Sequence, residues 1–270
     1  RRSASFEPLT RGWSRTFREW REPTPPRFGT ILSYTDFIDW KTFIYEKLAQ
    51  DMRLRYEAMR ASDPEHTITS HAAVPSIFTS PFVGAGASDD FLMARQLDYY
   101  GTSLYPKHSF PRTHWPRWQF NVAVDFSRSA NLQRGGFYIG ELQAGFGVRG
   151  VVVGDPVTEA DHRVWLWSVI AKGAKAVNFY AYYPMSSGYE SGGYGLIELD
   201  GTITPRAEAT GRMARIVHEN RELLLGSKAE PAQIAILYNP LAARFSMPEF
   251  PAISYPATSW SRACRSNTGC

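Results

Sequence analysis

The run Ala176-Val-Asn-Phe-Tyr-Ala-Tyr-Tyr183 is almost continuously apolar or aromatic. Such a strand has no polar face to give to water, so it belongs in a parallel sheet covered on both sides. Parallel neighbours need a crossover, usually a helix. The chain around this run is therefore expected to alternate between helix and strand, and from residue 37 to residue 225 it does.

Phe37, Trp40, Phe43, Ile44, Leu48, Met52, Tyr56 and Met59 recur at three- and four-residue steps, with Asp36 and Asp39 placed to cap the start. The pattern predicts a long amphipathic helix whose aromatic and Met stripe is core. After Ser62-Asp-Pro64, residues 67–73 form a short β-prone run. Residues 90–97 read as a short helix and 98–106 as strand and loop. A connection holding His114, Trp115 and Trp118 leads to a helix over 121–131, then to a strand from Phe137 to Glu141. Thr158 and Asp161 cap the next helix, which stops at Gly173. Pro205 opens a last one that runs through Leu225, with Ala209, Met213, Ile216, Val217 and Leu224 inward and Gly226 as its stop.

This order argues for α/β with a parallel sheet. Four strands are too few to close a (β/α)8 barrel, which takes about 250 residues. The fold expected is a partial (β/α)8 TIM barrel, roughly its strands 5–8. Residues 232–239 read as the first strand of a following α/β domain. The domain reading is an excursion loop and helix over 1–36, the half-barrel over 37–228, the start of a truncated domain over 229–240 and a poorly ordered tail over 241–270. Within the first of these, residues 13–20 look helical. The opening Arg1-Arg-Ser, without Met, suggests a processed product, a trimmed chain or a fragment.

Bulk properties exclude more than they assign. A net charge of +4 and a pI near 9.0 are mild. Arg11, Arg15, Arg18 and Arg21 read as a solvated face, and no nucleic-acid motif accompanies them. Cys264 and Cys270 both lie at the C-terminal end, which leaves no disulfide framework or Cys-based zinc site for the folded body. No apolar run has transmembrane length, and cytoplasmic residence is expected ahead of secretion. Neither a G-x-G-x-x-G that opens a helix nor a Walker loop is present, so nucleotide binding is disfavoured. No G-x-S-x-G elbow and no His-x-x-x-His spacing occur. Neither a metal nor a cofactor is expected.

Carboxylates remain. Asp98, Glu141 and Glu190 lie at strand ends or in the loops beside them, where barrel enzymes place their chemistry. Glu141 closes the stretch Gly135-Gly-Phe-Tyr-Ile-Gly-Glu141 and is either catalytic or a solvated strand-end charge. His71 either points into a cleft or is a hydrogen-bonded structural histidine. Aromatic residues make up 14% of the chain, which suits sugar-stacking clefts and large cores alike. Carboxylate chemistry in an aromatic cleft commonly means glycoside hydrolysis, and a retaining enzyme needs two carboxyl groups about 5 Å apart.

Several motifs share an order and spacing. They are Arg11-Gly-Trp-Ser-Arg-Thr-Phe, Gly140-Glu-Leu-Gln-Ala-Gly145, the helix from Arg163, the strand Val177-Asn-Phe-Tyr-Ala-Tyr-Tyr183, Gly188-Tyr-Glu190, Gly195-Leu-Ile and Leu199-Asp-Gly-Thr-Ile-Thr-Pro-Arg206. Together, residues 33–240 resemble the later part of the catalytic domain of family 42 glycoside hydrolases, the retaining β-galactosidases. The resemblance implies Glu141 as nucleophile and Glu190 as a ligand for sugar hydroxyls. It implies Tyr180 and Tyr182 on the cleft floor, where barrel packing is the alternative reading. Tyr105 and His71 are also expected among the substrate-binding residues. The implied partner is a carbohydrate, with no nucleic acid or membrane, and a homo-oligomer is expected of the full-length parent.

Three departures stand out. Gly193 replaces a His of the family pattern and Arg149 replaces a Trp. No Asn-Glu pair, the family's source of the proton donor, occurs in the chain. The expected function is hydrolysis of terminal β-galactosides by double displacement, with this chain nearly inactive alone. A retaining glycosidase for another β-linked sugar, or a non-catalytic carbohydrate-binding half-barrel, are the alternatives.

Overall fold

The computed structural model describes residues 5–25, 34–78, 88–108, 115–149 and 152–240. The expected tail over 241–270 and His114 lie outside them. Helices α1 (Glu7–Trp13) and α2 (Thr35–Ser62) lead into strand β1 (Thr69–Ala72). Then follow α3 (Asp90–Ala94), β2 (Tyr99–Leu104), α4 (Arg117–Ala130) and β3 (Phe137–Gln143). The short strands β4 (Val148–Arg149) and β5 (Val152–Val153) form a separate antiparallel pair. Helix α5 (Glu159–Ala171), strand β6 (Ala174–Tyr180), α6 (Pro205–Glu219) and α7 (Arg221–Gly226) complete the order. The main sheet is β1-β2-β3-β6, parallel throughout and in chain order. This is a run of four consecutive β/α units of a barrel.

Helices pack on one face of the sheet. Leu104, Phe137, Ile139 and Leu142 meet Phe120, Val124, Trp165 and Val169 of α4 and α5 in one cluster, with Val157 beside them. Ala49, Met52 and Tyr56 of α2 meet Met93, Ala94, Leu97 and Tyr100 in a second. The capping box predicted for α5 is formed by Thr158 and Asp161, and Gly173 ends the turn after it at φ 98°.

Several expectations are corrected. The helical piece is Glu7–Trp13, ended by Ser14 in the left-handed region, so residues 14–20 do not continue it. Asp36 caps nothing: it is buried, accepts from the Phe37 N–H and pairs with Arg15 at 2.8 Å. On α2, Phe43, Leu48 and Met59 face outward, because the core is met along the Phe37, Tyr45 and Ala49 line. The last helix breaks at Asn220, and Ile216 is exposed. Strand β6 is only half-covered, since it lies at the sheet edge. Residues 232–239 form no strand. Tyr238 ties them to the body: its ring stacks on Phe91 and meets Phe126 edge-on.

Candidate active site

Strict alternation along β3 would put Glu141 in phase with Phe137 and Ile139, pointing into the helix layer. The structure avoids this with one extra residue. Thr102 and Ser103, adjacent on β2, pair with Ile139 and Glu141, and Val177 and Phe179 on β6 pair with Ile139 and Leu142. Both neighbours thus register a bulge in β3 around Gly140. It returns Leu142 to the core and turns Glu141 to the other face of the sheet, as bulges beside active sites do.

There the Glu141 carboxylate is held asymmetrically. Oε2 accepts from Tyr105 Oη at 2.7 Å and from Ser103 Oγ at 3.0 Å. Oε1 faces His71 Nε2 at 3.7 Å, an ion-pair separation rather than a hydrogen bond. The side chains of both His71 and Glu141 are 30% exposed. Burial first, and the bond to Glu141 second, push the Tyr105 phenol far up, so it remains a donor. The Tyr138 phenol is raised by burial and by Glu141 as well.

The loop after β6 brings the second carboxylate. Tyr180 Oη donates to Glu190 Oε2 at 2.9 Å, and the phenol is raised by burial and by that carboxylate. The Tyr194 ring bridges the two halves of the site, with its centroid 5.8 Å from that of Tyr105 and 5.4 Å from that of Tyr180. Behind it, Tyr194 Oη bonds His108 Nε2. Tyr182 is not drawn into this group: its ring is 64% exposed. Asp98 is at the opposite end of its strand, where it accepts from Tyr56, Arg60 and the Ile68 N–H in a structural knot.

Sequence reading missed Ser103, Gln143, His108, His162 and Tyr194. Gln143 is fully buried; it accepts from the Lys107 N–H and donates to the Gly145 carbonyl, tying the ends of β2 and β3 together. His162 Nε2 meets the Gln143 carbonyl at 3.2 Å and Nδ1 meets Thr210 Oγ1 at 2.8 Å. Burial pushes the imidazole down to about 4, so it stays neutral, and the network assigns its proton to Nε2. Only the fold assembles these residues; the one sequence-level hint was the Gln of Glu141-Leu-Gln143.

Gly193 is fixed by its surroundings. A Cβ there would lie 2.6 Å from both Val148 N and Val148 Cβ, and its carbonyl already accepts from the Gly147 N–H at 2.7 Å. The approach of residues 147–148 leaves no room for the His of the family pattern. Arg149 lies in β4 beside this contact.

A parallel β/α half-barrel with an inward carboxylate near the C-terminal end of a strand, and a second in the loop after the neighbouring strand, defines the class of barrel enzymes that work with carboxylates. Within that class, the chain belongs to glycoside hydrolase family 42, whose family model, described as beta-galactosidase, matches residues 9–219. A search of curated proteins finds no match.

Among solved structures, β-galactosidase from Bacillus circulans sp. alkalophilus superposes with a TM-score of 0.72 at 18% identity, covering 90% of this chain and 36% of that one. The cold-adapted β-galactosidase of Rahnella sp. R3 gives 0.69 at 16%, covering 88% and 34%. A catalytic mutant of a family 42 β-galactosidase from G. stearothermophilus gives 0.67 at 17%, covering 87% and 34%. The chain thus spans about a third of the length of these relatives. Among the described residues, no cluster of His, Cys, Asp or Glu is arranged for a metal ion, and no helix is long and apolar enough to cross a membrane.

Proposed function

We propose that this chain is the nucleophile-bearing half of a glycoside hydrolase barrel that acts on terminal β-galactosides with retention. The observation that carries the reading is the setting of Glu141, which is turned inward by a bulge with Oε2 held by two hydroxyls. The two hydroxyl donors anchor Oε2, while Oε1 is left for attack. In the first step Oε1 bonds to the anomeric carbon. The bond from that carbon to the leaving oxygen breaks, and its electron pair goes to the aglycone. Water then attacks the anomeric carbon and gives up one proton to solvent, the bond to Oε1 breaks, and Glu141 leaves as the carboxylate.

An alkoxide leaving group needs a proton, and by the family pattern its donor is the Glu of an Asn-Glu pair, which no dipeptide here supplies. Glu190, held by Tyr180, is placed to accept from sugar hydroxyls. The isolated chain is expected to release dinitrophenolate, which needs no proton, from an activated β-galactoside, and to turn over alkyl β-galactosides negligibly. Steady alkyl galactoside hydrolysis lost in Glu141→Gln would contradict the missing-donor part. No release from either substrate would contradict the reading as a whole.

A second reading, a retaining glycosidase for another β-linked sugar, is favoured by the packing at Gly193, which excludes the family's His by backbone contact. Faster dinitrophenolate release from a glucoside or xyloside than from the galactoside would select it.

A further inference from the structure

We propose that His71 is a positioning residue for Glu141, holding the oxygen that attacks; this rests on the assignment of Glu141 as nucleophile. Both hydroxyl donors to the carboxylate arrive on Oε2 from one side, Ser103 on β2 and Tyr105 just beyond it. They anchor that oxygen and leave the Oε1 end free to swing. His71 stands on the other side, on β1, with Nε2 3.7 Å from Oε1.

Its place there is built by glycines. His71 is registered against Gly101, and Gly101 against Tyr138, so the imidazole must cross β2 to reach β3. A Cβ at Gly101 would lie 2.3 Å from the Tyr138 carbonyl oxygen and 2.8 Å from its Cδ1, so the glycine lets Tyr138, which flanks the imidazole, lie close against β2. At Gly140 a Cβ would lie 2.1 Å from the His71 Cγ and 2.3 Å from Nδ1, so the ring is seated directly on the glycine of the bulge. The Tyr138 ring closes the remaining side edge-on, at 6.2 Å between centroids. The same residue that turns Glu141 inward thus also makes the seat for the histidine beside it.

A separation of 3.7 Å is too long for a hydrogen bond in the resting site. It suits a contact that limits rotation of the carboxylate and closes to a hydrogen bond when Oε1 moves. Misplacing a reacting atom by about 1 Å can cost roughly a hundredfold in rate. The consequence of losing His71 therefore falls on the bond-forming step rather than on sugar binding.

The experiment follows covalent labelling of the chain by 2,4-dinitrophenyl 2-deoxy-2-fluoro-β-galactoside, which separates the inactivation rate constant from the binding constant. His71→Ala is expected to lower the rate constant about tenfold or more while the binding constant moves less than about threefold. His71→Gln, whose amide N–H reaches the same place, is expected to recover most of the loss. Thermal melts of both variants report their folding.

A weakened binding constant with an unchanged rate constant would overturn the proposal and make His71 a sugar ligand. Unchanged labelling in folded His71→Ala, or no recovery in folded His71→Gln, would overturn it too. A wild-type chain that takes no label would remove the nucleophile assignment itself, and the proposal with it.

Discussion

Tyr105 and Ser103 share one oxygen of Glu141 from different distances and different acidities. The shorter bond, 2.7 Å, comes from a phenol whose own ionisation is suppressed by burial, so Tyr105 donates at every working pH. Removing a hydrogen bond to a charged group costs roughly 1.5–3 kcal/mol. Tyr105→Phe is accordingly expected to slow formation of the covalent intermediate about ten- to a hundredfold. Ser103→Ala, at 3.0 Å, should slow it less, with melting temperatures near wild type in both. Stopped-flow release of dinitrophenolate measures this, and equal rates in Tyr105→Phe and wild type would remove the phenol from the account. Glu141 stood out in the sequence because a charged residue in an apolar strand is conspicuous, although β3 runs past it to Gln143. Ser103 was not, since its role depends on which residue of β3 it is registered against. Tyr182 was conspicuous for its aromaticity, yet it lies two residues past the end of β6 and is exposed.

Among the elements, strands and helices between residues 37 and 225 were found in the predicted order because they carry a clear period and a boundary signal, such as Gly173 as a stop or Pro205 as a start. The bulge in β3 escaped, because one added residue leaves no mark on composition and shows only against its neighbours. Two-sided burial of β6 also failed, since an edge strand lacks the cover the apolar run implies. Two buried groups give this assembly a pH dependence. Burial raises the Asp90 carboxyl, at the start of α3, from 3.8 to about 6. Its folded form holds the proton longer than the unfolded chain does, so the stability it contributes is full below pH 3.8 and is lost as pH rises through about 6. His162, lowered from 6.5 to about 4, acts oppositely: its contribution is full above 6.5 and is lost as pH falls through about 4. The two partly cancel in between. Asp90→Asn removes one arm, so urea unfolding should show it more stable than wild type by roughly 1–3 kcal/mol near pH 7 and little changed near pH 4. A variant less stable than wild type near pH 7 would contradict the burial argument.

Across the whole molecule, four β/α units present one face of a sheet to their helices and carry Glu141, Tyr105, Ser103 and His71 on the other. The helix-covered side packs as two clusters, while β1 and β6 both lie at sheet edges. The proposed role of Glu141 as nucleophile makes one experiment decisive. The chain is incubated with 2,4-dinitrophenyl 2-deoxy-2-fluoro-β-galactoside, digested and mapped by mass spectrometry. The account predicts one fluorogalactosyl adduct per chain, on the peptide carrying Glu141, and none in Glu141→Gln. An adduct on Glu190, or equal labelling of Glu141→Gln, would contradict it.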